Sequence, residues 1–305
     1  MIVRCLNIEN FRNIEKINIT LKEIQEKVGF KSIYFNNASS LYEPSEFPYC
    51  KDSDIEILTH FGKRVNQLIN SKVSSFDDLV SALAVYRPGA NNTIKEYIDC
   101  KLGRKPITYF HKDLEPILKD TYGFVIYEEQ IMRIALKFAG YSLNQADYLR
   151  AQAKKKNKEV IIKERSNFVN SCIKNGYSEE IGNSIYDYFV KFADFGFNQA
   201  HAVAYGRLSY LVAYLKCLYP EYFYAITMKE LSGSKLYASI LQAKKLGVKI
   251  YPPRINESAY SHVVYPKSIL LGFSSLHDVL KSDIDKIIEE RNTNGKYRDY
   301  VWNST

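Results

Sequence analysis

The feature that most restricts the fold of this chain is a succession of apolar stripes with a helical period. Ile131, Ile134, Ala135 and Phe138 stand at i, i+3, i+4 and i+7, so they fall on one side of a helix. Ile181, Ile185, Phe189 and Phe192 repeat the pattern after Ser178, and Leu208, Leu211, Val212 and Leu215 repeat it again. The stripes are punctuated. Gly140 closes the first, Ser142 with Gln145 has the form of a capping box opening the next helix, and Pro220 ends the last. Ser74 or Ser75 precedes FDDLVSALAVY, whose Asp77 and Asp78 sit in a first turn, where the helix dipole favours carboxylates. Pro88 and Gly89 stop that helix.

Elsewhere the pattern is weaker. Residues 1–30 read as a strand, a turn and a helix carrying Ile14, Ile17 and Ile24; 31–53 read as loop, and 54–70 as a short helix. Residues 241–258 read as a helix end, a short strand VKIY and a Pro-Pro turn, followed by a strand within 267–276 and a helix over 282–291. The expectation is a mainly α protein with little sheet. Its 305 residues suit one large domain with additional pieces, or two domains.

Several classes are excluded by pattern. No run of 18 apolar residues exists, so no transmembrane helix is expected, and the polar start MIVRCLNIENFRNIEK does not resemble a signal peptide. Cys5, Cys50, Cys100, Cys172 and Cys217 are scattered without a CxxC, which predicts reduced thiols and a cytoplasmic location. The five histidines show no HxxxH spacing, so no metal cage built by the protein alone is expected.

Charge is focused. The chain carries a formal +8, and the window 150–174 holds eight Lys or Arg against Glu159 and Glu164, a net +6. Such a strip is either a footprint for a polyanion or a solvated lysine-rich face. His201, between FGFNQ and an amphipathic helix, has two readings as well. It is a core-edge histidine bound to a carbonyl, or it stands at a phosphate site. Glu128, Glu129 and Gln130 read as solvated helix residues, with Arg133 pairing one turn after Glu129. His111 reads as a structural or capping residue.

Six phrases in order carry a resemblance: AVYRPGA (84–90), TYGFVIYEEQIMRIALKFAGYSLNQADYLR (121–150), AKKK (153–156), KFADFGFNQAHAVAY (191–205), YLKCLYPEYF (214–223) and LGVKIYPPRINES (246–258). Together they resemble the fingers region of the bacterial DNA polymerase III alpha subunit, a C-family DNA polymerase, from about residue 55 to 291. The resemblance implies a C-family fingers fold at 73–230, preceded by a small α/β palm remnant and connector at 1–72 and followed by a partial, degenerate helix-hairpin-helix region at 231–305. It also implies nucleotidyl transfer, in which fingers cations face the incoming dNTP while palm aspartates hold two metal ions. The matching positions are Arg87, Arg150, Lys154, Lys155, Lys156, His201 and Tyr205 for the nucleotide, with Lys158, Lys163, Arg165, Arg104 and Lys105 for DNA.

The chain departs from the family pattern at places that carry chemistry. Asn7 stands where the third palm aspartate is expected, and a neutral amide is a poor ligand for a hard divalent cation. Leu149 replaces the first of two arginines, Ala153 a glycine and Gln199 a lysine. Asp278, Val279 and Leu280 stand where a GxG hairpin is expected, which puts a tight phosphate-binding turn in doubt and adds a repelling carboxylate. The expectation is therefore a chain without polymerase activity by itself. It holds no cofactor of its own, and Mg²⁺ is expected only with a palm-bearing chain. Its expected partners are primer-template DNA, dNTP and such a chain, with no membrane. The alternative is a catalytically silent copy that binds DNA or a replication partner. The ends at Met1 and Thr305 predict neither an exonuclease domain nor a clamp-binding tail.

Overall fold

A computed structural model describes residues 8–28, 76–85, 91–154, 158–192 and 196–298. The first seven residues of the strand, turn and helix expected over 1–30, the loop expected over 31–53 and the helix expected over 54–70 lie outside them. The described elements form two compact units, with the division falling after Ser209. Among the described residues, no helix is long and apolar enough to cross a membrane.

After α1 (Ile8–Val28), which belongs to the second unit, the first unit contains α2 (Phe76–Val85), α3 (Asn91–Lys101), the short α4 (Glu115–Leu118), α5 (Glu128–Ala139), α6 (Leu143–Lys154), α7 (Lys158–Lys174), α8 (Glu179–Phe192) and the first half of α9 (Gln199–Leu218). The α5 stripe is its centre. Ile131, Ile134, Ala135 and Phe138 are all buried, and they pack with Phe168 of α7 and Ile185 and Phe189 of α8. Phe168 meets Tyr141 and Phe189 edge-on, an arrangement that aligns ring edges with ring faces. The punctuation behaves as the sequence predicts. Gly140 adopts φ 62° and donates to Ala135 O, closing α5. Ser142 N donates to Gln145 Oε1 at 2.9 Å and Gln145 N to Ser142 Oγ at 3.4 Å, the two halves of a capping box. His111 caps a 3₁₀ turn, its Nδ1 accepting from Asp113 N at 3.2 Å. Leu149, read as a lost cation, is a core residue here, 4% exposed.

A second core in the same unit joins α2, α3 and the start of α9 through Val80, Ala84, Ile94, Tyr97, Ile126 and Ala202. Gly206 lets α9 approach α2 closely, since a Cβ there would stand 2.7 Å from Val80 Cγ2.

The second unit holds α1 (Ile8–Val28), α9 from Tyr210, α10 (Pro220–Met228), α11 (Gly233–Lys245), a small sheet and α12 (Lys281–Asn294). Ile17, Thr20 and Ile24 form the buried side of α1, which packs on α10. Pro220 does more than end α9. It occupies the first turn of α10, where its missing N–H costs nothing. Strands β1 (Lys249–Tyr251), β2 (Val263–Tyr265) and β3 (Ser268–Leu270) run in the order β1-β3-β2, with β1 parallel and β2 antiparallel to β3. Gly272 follows, pressed so close to the 260–261 backbone that a Cβ would lie 2.4 Å from Tyr260 O.

Candidate functional site

The predicted site residues are organised by the first turn of α5. Residues 125–127 before it are buried, and Phe197 runs beside Tyr127 as a parallel bridge. Phe197 N donates to Ile126 O at 3.1 Å, and Glu128 N to Phe197 O at 2.9 Å. The Gln130 amide completes the turn. Its Oε1 accepts from Ile126 N at 2.8 Å and Tyr127 N at 3.0 Å, while its Nε2 donates to Thr121 Oγ1 at 2.7 Å. A buried amide with its groups satisfied rigidifies the segment it joins.

From this fixed turn, consecutive carboxylates reach two other elements. Glu128, 5% exposed, accepts from Arg150 Nη1 of α6 at 2.7 Å. Glu129 accepts from Asn198 Nδ2 at 2.8 Å and from Gln199 N at 2.9 Å, at the start of α9. This corrects the expectation of solvated helix residues with Glu129 paired to Arg133. The sequence signal was present, because carboxylates at a helix start are placed to serve backbone and cationic donors.

Arg150 is charged and held. Its Nε donates to Asp147 Oδ1 at 2.8 Å, and the hydrogen bonds to Asp147 and Glu128 outweigh burial and raise its pKa above the ordinary arginine value. Asn198 caps α9, its Oδ1 accepting from His201 N at 2.9 Å. The half-buried His201 ring lies 5.3 Å from the Phe197 ring and 4.5 Å from the Tyr205 ring, centroid to centroid. The structure thus brings His201 and Tyr205 together and ties Arg150 to the same turn of α5. The backbone donors of Gln199 and His201 are already used. An anion approaching α9 here meets side chains rather than those two amides.

The remaining candidates are dispersed. Asn7, Arg87, Lys155 and Lys156 lie outside the described residues. Lys154 ends α6 and Lys158 begins α7. Lys163 is exposed on α7. Arg165 is engaged with Asp187 and with Asn183 Oδ1 at 3.2 Å, its guanidinium 5.2 Å over the Tyr186 ring, so it joins α7 to α8. Arg104 and Lys105 follow α3 and make exposed pairs with Asp99 at 3.5 Å and Glu96 at 3.9 Å, contacts weak enough to exchange for a phosphate.

Two buried lysines had no signature in the sequence. Lys101 Nζ lies 3.0 Å from Asp78 Oδ2, and Tyr122 OH donates to Asp78 Oδ1 at 2.9 Å. Burial pulls the Lys101 pKa down and Asp78 opposes that shift. In the second unit, Lys216 is 5% exposed with its Nζ 5.4 Å over the Phe223 ring, and burial lowers its pKa to about 8.

At the hairpin, Asp278 adopts φ 62°, the left-handed conformation a glycine would take, and Leu280 stands at the N-cap position of α12 without a side-chain cap bond. The turn is made, with an exposed carboxylate on it that lies 2.9 Å from His277 Nδ1.

Among the described residues, no group of three or more His, Cys, Asp or Glu could hold a metal ion. Glu128 and Glu129 are taken by Arg150, Asn198 and Gln199. The described side chains do not fit a divalent cation.

Comparison with known proteins gives two family matches. The family described as bacterial DNA polymerase III alpha subunit finger domain matches residues 56–176, and the helix-hairpin-helix motif matches residues 247–301. The chain is 42% identical over 227 residues to the DNA polymerase III subunit alpha of Staphylococcus epidermidis, covering 74% of this chain and 21% of that protein. It is 42% identical over 231 residues to the Staphylococcus aureus protein of the same name, covering 75% of this chain and 22% of that one. The chain spans about a fifth of the length of the curated relatives it matches.

Proposed function

We propose that this chain, which matches the finger-domain model over residues 56–176 and is 42% identical to DNA polymerase III subunit alpha proteins, supplies the fingers-side contacts to an incoming dNTP and to primer-template DNA during replication. The observation that carries this reading is the pair Glu128 and Glu129, which hold Arg150 and the His201 end of α9 on one turn of α5. A triphosphate leaving as pyrophosphate develops negative charge, and preorganised cations and donors stabilise it without reorganising. Arg150 offers that charge. His201 offers a ring nitrogen able to donate a hydrogen bond. The α7 lysines follow a DNA backbone through salt-sensitive, sequence-independent contacts.

Catalysis would then require a second chain bearing the palm carboxylates, which would hold the Mg²⁺ ions that supply the charge stabilisation for phosphoryl transfer. The pair works in the cytoplasm, in keeping with the free thiols of Cys100 and Cys172. A second reading, a catalytically silent DNA-binding copy, is favoured by the burial of Leu149 in the core where a family cation is expected.

Affinity purification of the chain from its own cells, followed by primer extension with the recovered material, separates the two. A stoichiometric palm-bearing partner and Mg²⁺-dependent extension that falls with Arg150→Ala support the split polymerase. DNA binding without partner or extension supports the silent copy. Neither binding nor extension removes both.

A further inference from the structure

A cleft of about 410 Å³ opens between α6 and α7, outside the turn that organises Arg150 and His201. Its walls include Tyr141, Asn144, Gln145, Tyr148, Glu164 and Asn167. The ring of Tyr148 is half exposed, whereas Tyr141 is fixed by its edge-on contact with Phe168, 5.7 Å between centroids. The polar groups are also held in place. Gln145 Oε1 is fixed by Ser142 Oγ and Ser142 N, each at 2.9 Å, and Glu164 Oε2 accepts from Asn167 Nδ2 at 3.1 Å.

The chemistry of these walls selects among ligands. Among the described residues, no lysine or arginine lines the cleft, and a carboxylate does, so a phosphate is disfavoured against these walls. Two phenol rings with amide and carboxylate groups instead suit a planar, uncharged ring bearing hydrogen-bond donors. Cations lie just outside. Lys163, next to Glu164, and Lys174 at the far end of α7 are exposed. A polyanion following α7 would therefore keep its phosphates on the helix and have the cleft beside it.

We propose that this cleft takes one unstacked base of single-stranded nucleic acid, stacked on Tyr148 with an amino-bearing edge turned to Glu164. A carboxylate accepts from the exocyclic amine of cytosine and from the N–H groups of guanine, whereas thymine flanks its one N–H with two carbonyls. The site therefore prefers cytosine or guanine to thymine. The proposal rests on the reading of α7 as a DNA-following surface.

The test is fluorescence anisotropy of the full chain with labelled oligo-dC, oligo-dT and an abasic oligonucleotide of equal length, using wild type, Tyr148→Ala and Glu164→Gln. The expected result is wild-type affinity for oligo-dC on the order of tenfold above the abasic strand. Tyr148→Ala removes that gap, and Glu164→Gln removes the preference for dC over dT while leaving abasic binding unchanged. A gap that persists in Tyr148→Ala overturns the proposal. If wild type binds none of the strands, the DNA-following reading fails by itself, and the cleft is probed with deoxycytidine alone. Tyrosine ring resonances that shift in wild type but not in Tyr148→Ala then uphold the base site, and their absence in wild type overturns it.

Discussion

Lys101 Nζ lies 3.0 Å from Asp78 Oδ2, with both side chains more than nine-tenths buried. The pair joins α2 to α3 beneath the finger unit's second core, and Tyr122 OH satisfies the other carboxylate oxygen at 2.9 Å. Two charges removed from water are tolerable only together, so each depends on the other.

Replacing Lys101 by Met is expected to destabilise the first unit by about 3–5 kcal/mol, because it leaves Asp78 buried and uncompensated. Adding Asp78→Leu should recover most of that loss. Urea unfolding reads both as midpoint shifts at constant slope. A single mutant as stable as wild type would show the pair to be solvated.

Glu129→Ala removes the acceptor of both Asn198 Nδ2 and Gln199 N. The expected cost is about 1.5–3 kcal/mol, concentrated at the start of α9. Amide hydrogen exchange should quicken at 199–201 and stay unchanged in the middle of α5.

The structural role of Arg150 can be separated from the nucleotide contact proposed for it. Arg150→Ala removes the cation that faces the Glu128 carboxylate, which is 5% exposed, and should lower stability. Adding Glu128→Gln should restore stability without restoring nucleotide affinity in the assembled polymerase. A double-mutant cycle on both readouts checks this. Recovery of both together would make Arg150 purely structural.

At the hairpin, Asp278→Gly relieves a left-handed non-glycine residue and removes an anion from the turn. Stability should rise by about 1 kcal/mol. DNA affinity should rise too, with the gain shrinking as salt is added. Unchanged affinity at low salt would mean that this hairpin does not face DNA.

Lys216 predicts a pH dependence. Folded, it loses its proton near pH 8; unfolded, it keeps the proton to about 10.5. Between these values the unfolded chain binds more protons, so stability rises with pH, by up to about 1.4 kcal/mol per pH unit. The rise is best read below about pH 10, before unfolded tyrosines ionise. Lys216→Met should be more stable than wild type below pH 8 and should lose the slope. A wild-type profile flat over this range would refute the buried charge.

The helical frame was legible because its signals are local. The stripe from Ile131 to Phe138, the Gly140 stop and the Ser142–Gln145 box each lie within a turn or two of sequence. The small sheet was half legible. Val263 to Tyr265 escaped notice, although a β-branched pair two residues before another strand is a hairpin signal, and Lys267 takes the left-handed φ of 54° at the turn. The site was legible as residue types and not as wiring. Nothing near Glu129 in the sequence points to Gln199, and nothing near Asp78 points to Lys101, because burial and pairing between distant helices are tertiary facts. At Asp278 the sequence shows the exposed carboxylate but not the backbone, which takes the left-handed conformation that aspartate tolerates better than most residues.

The bond from Gln199 N to Glu129 spans 70 residues of chain, and this sets an order on folding. At roughly 5–20 residues per second of synthesis, the start of α5 leaves the ribosome about 4–14 s before its partner segment exists. Helices α5 to α7 have part of that interval in which to collapse on the Phe138–Phe168 core and to bring Arg150 to Glu128, while Glu129 stays hydrated until the segment at 198–199 exists. Closing the long loop costs little more than closing a shorter one, since the entropy grows only with the logarithm of its length. The start of α9 is thus expected to be the last part of the first unit to assemble, docking on a surface that has already folded.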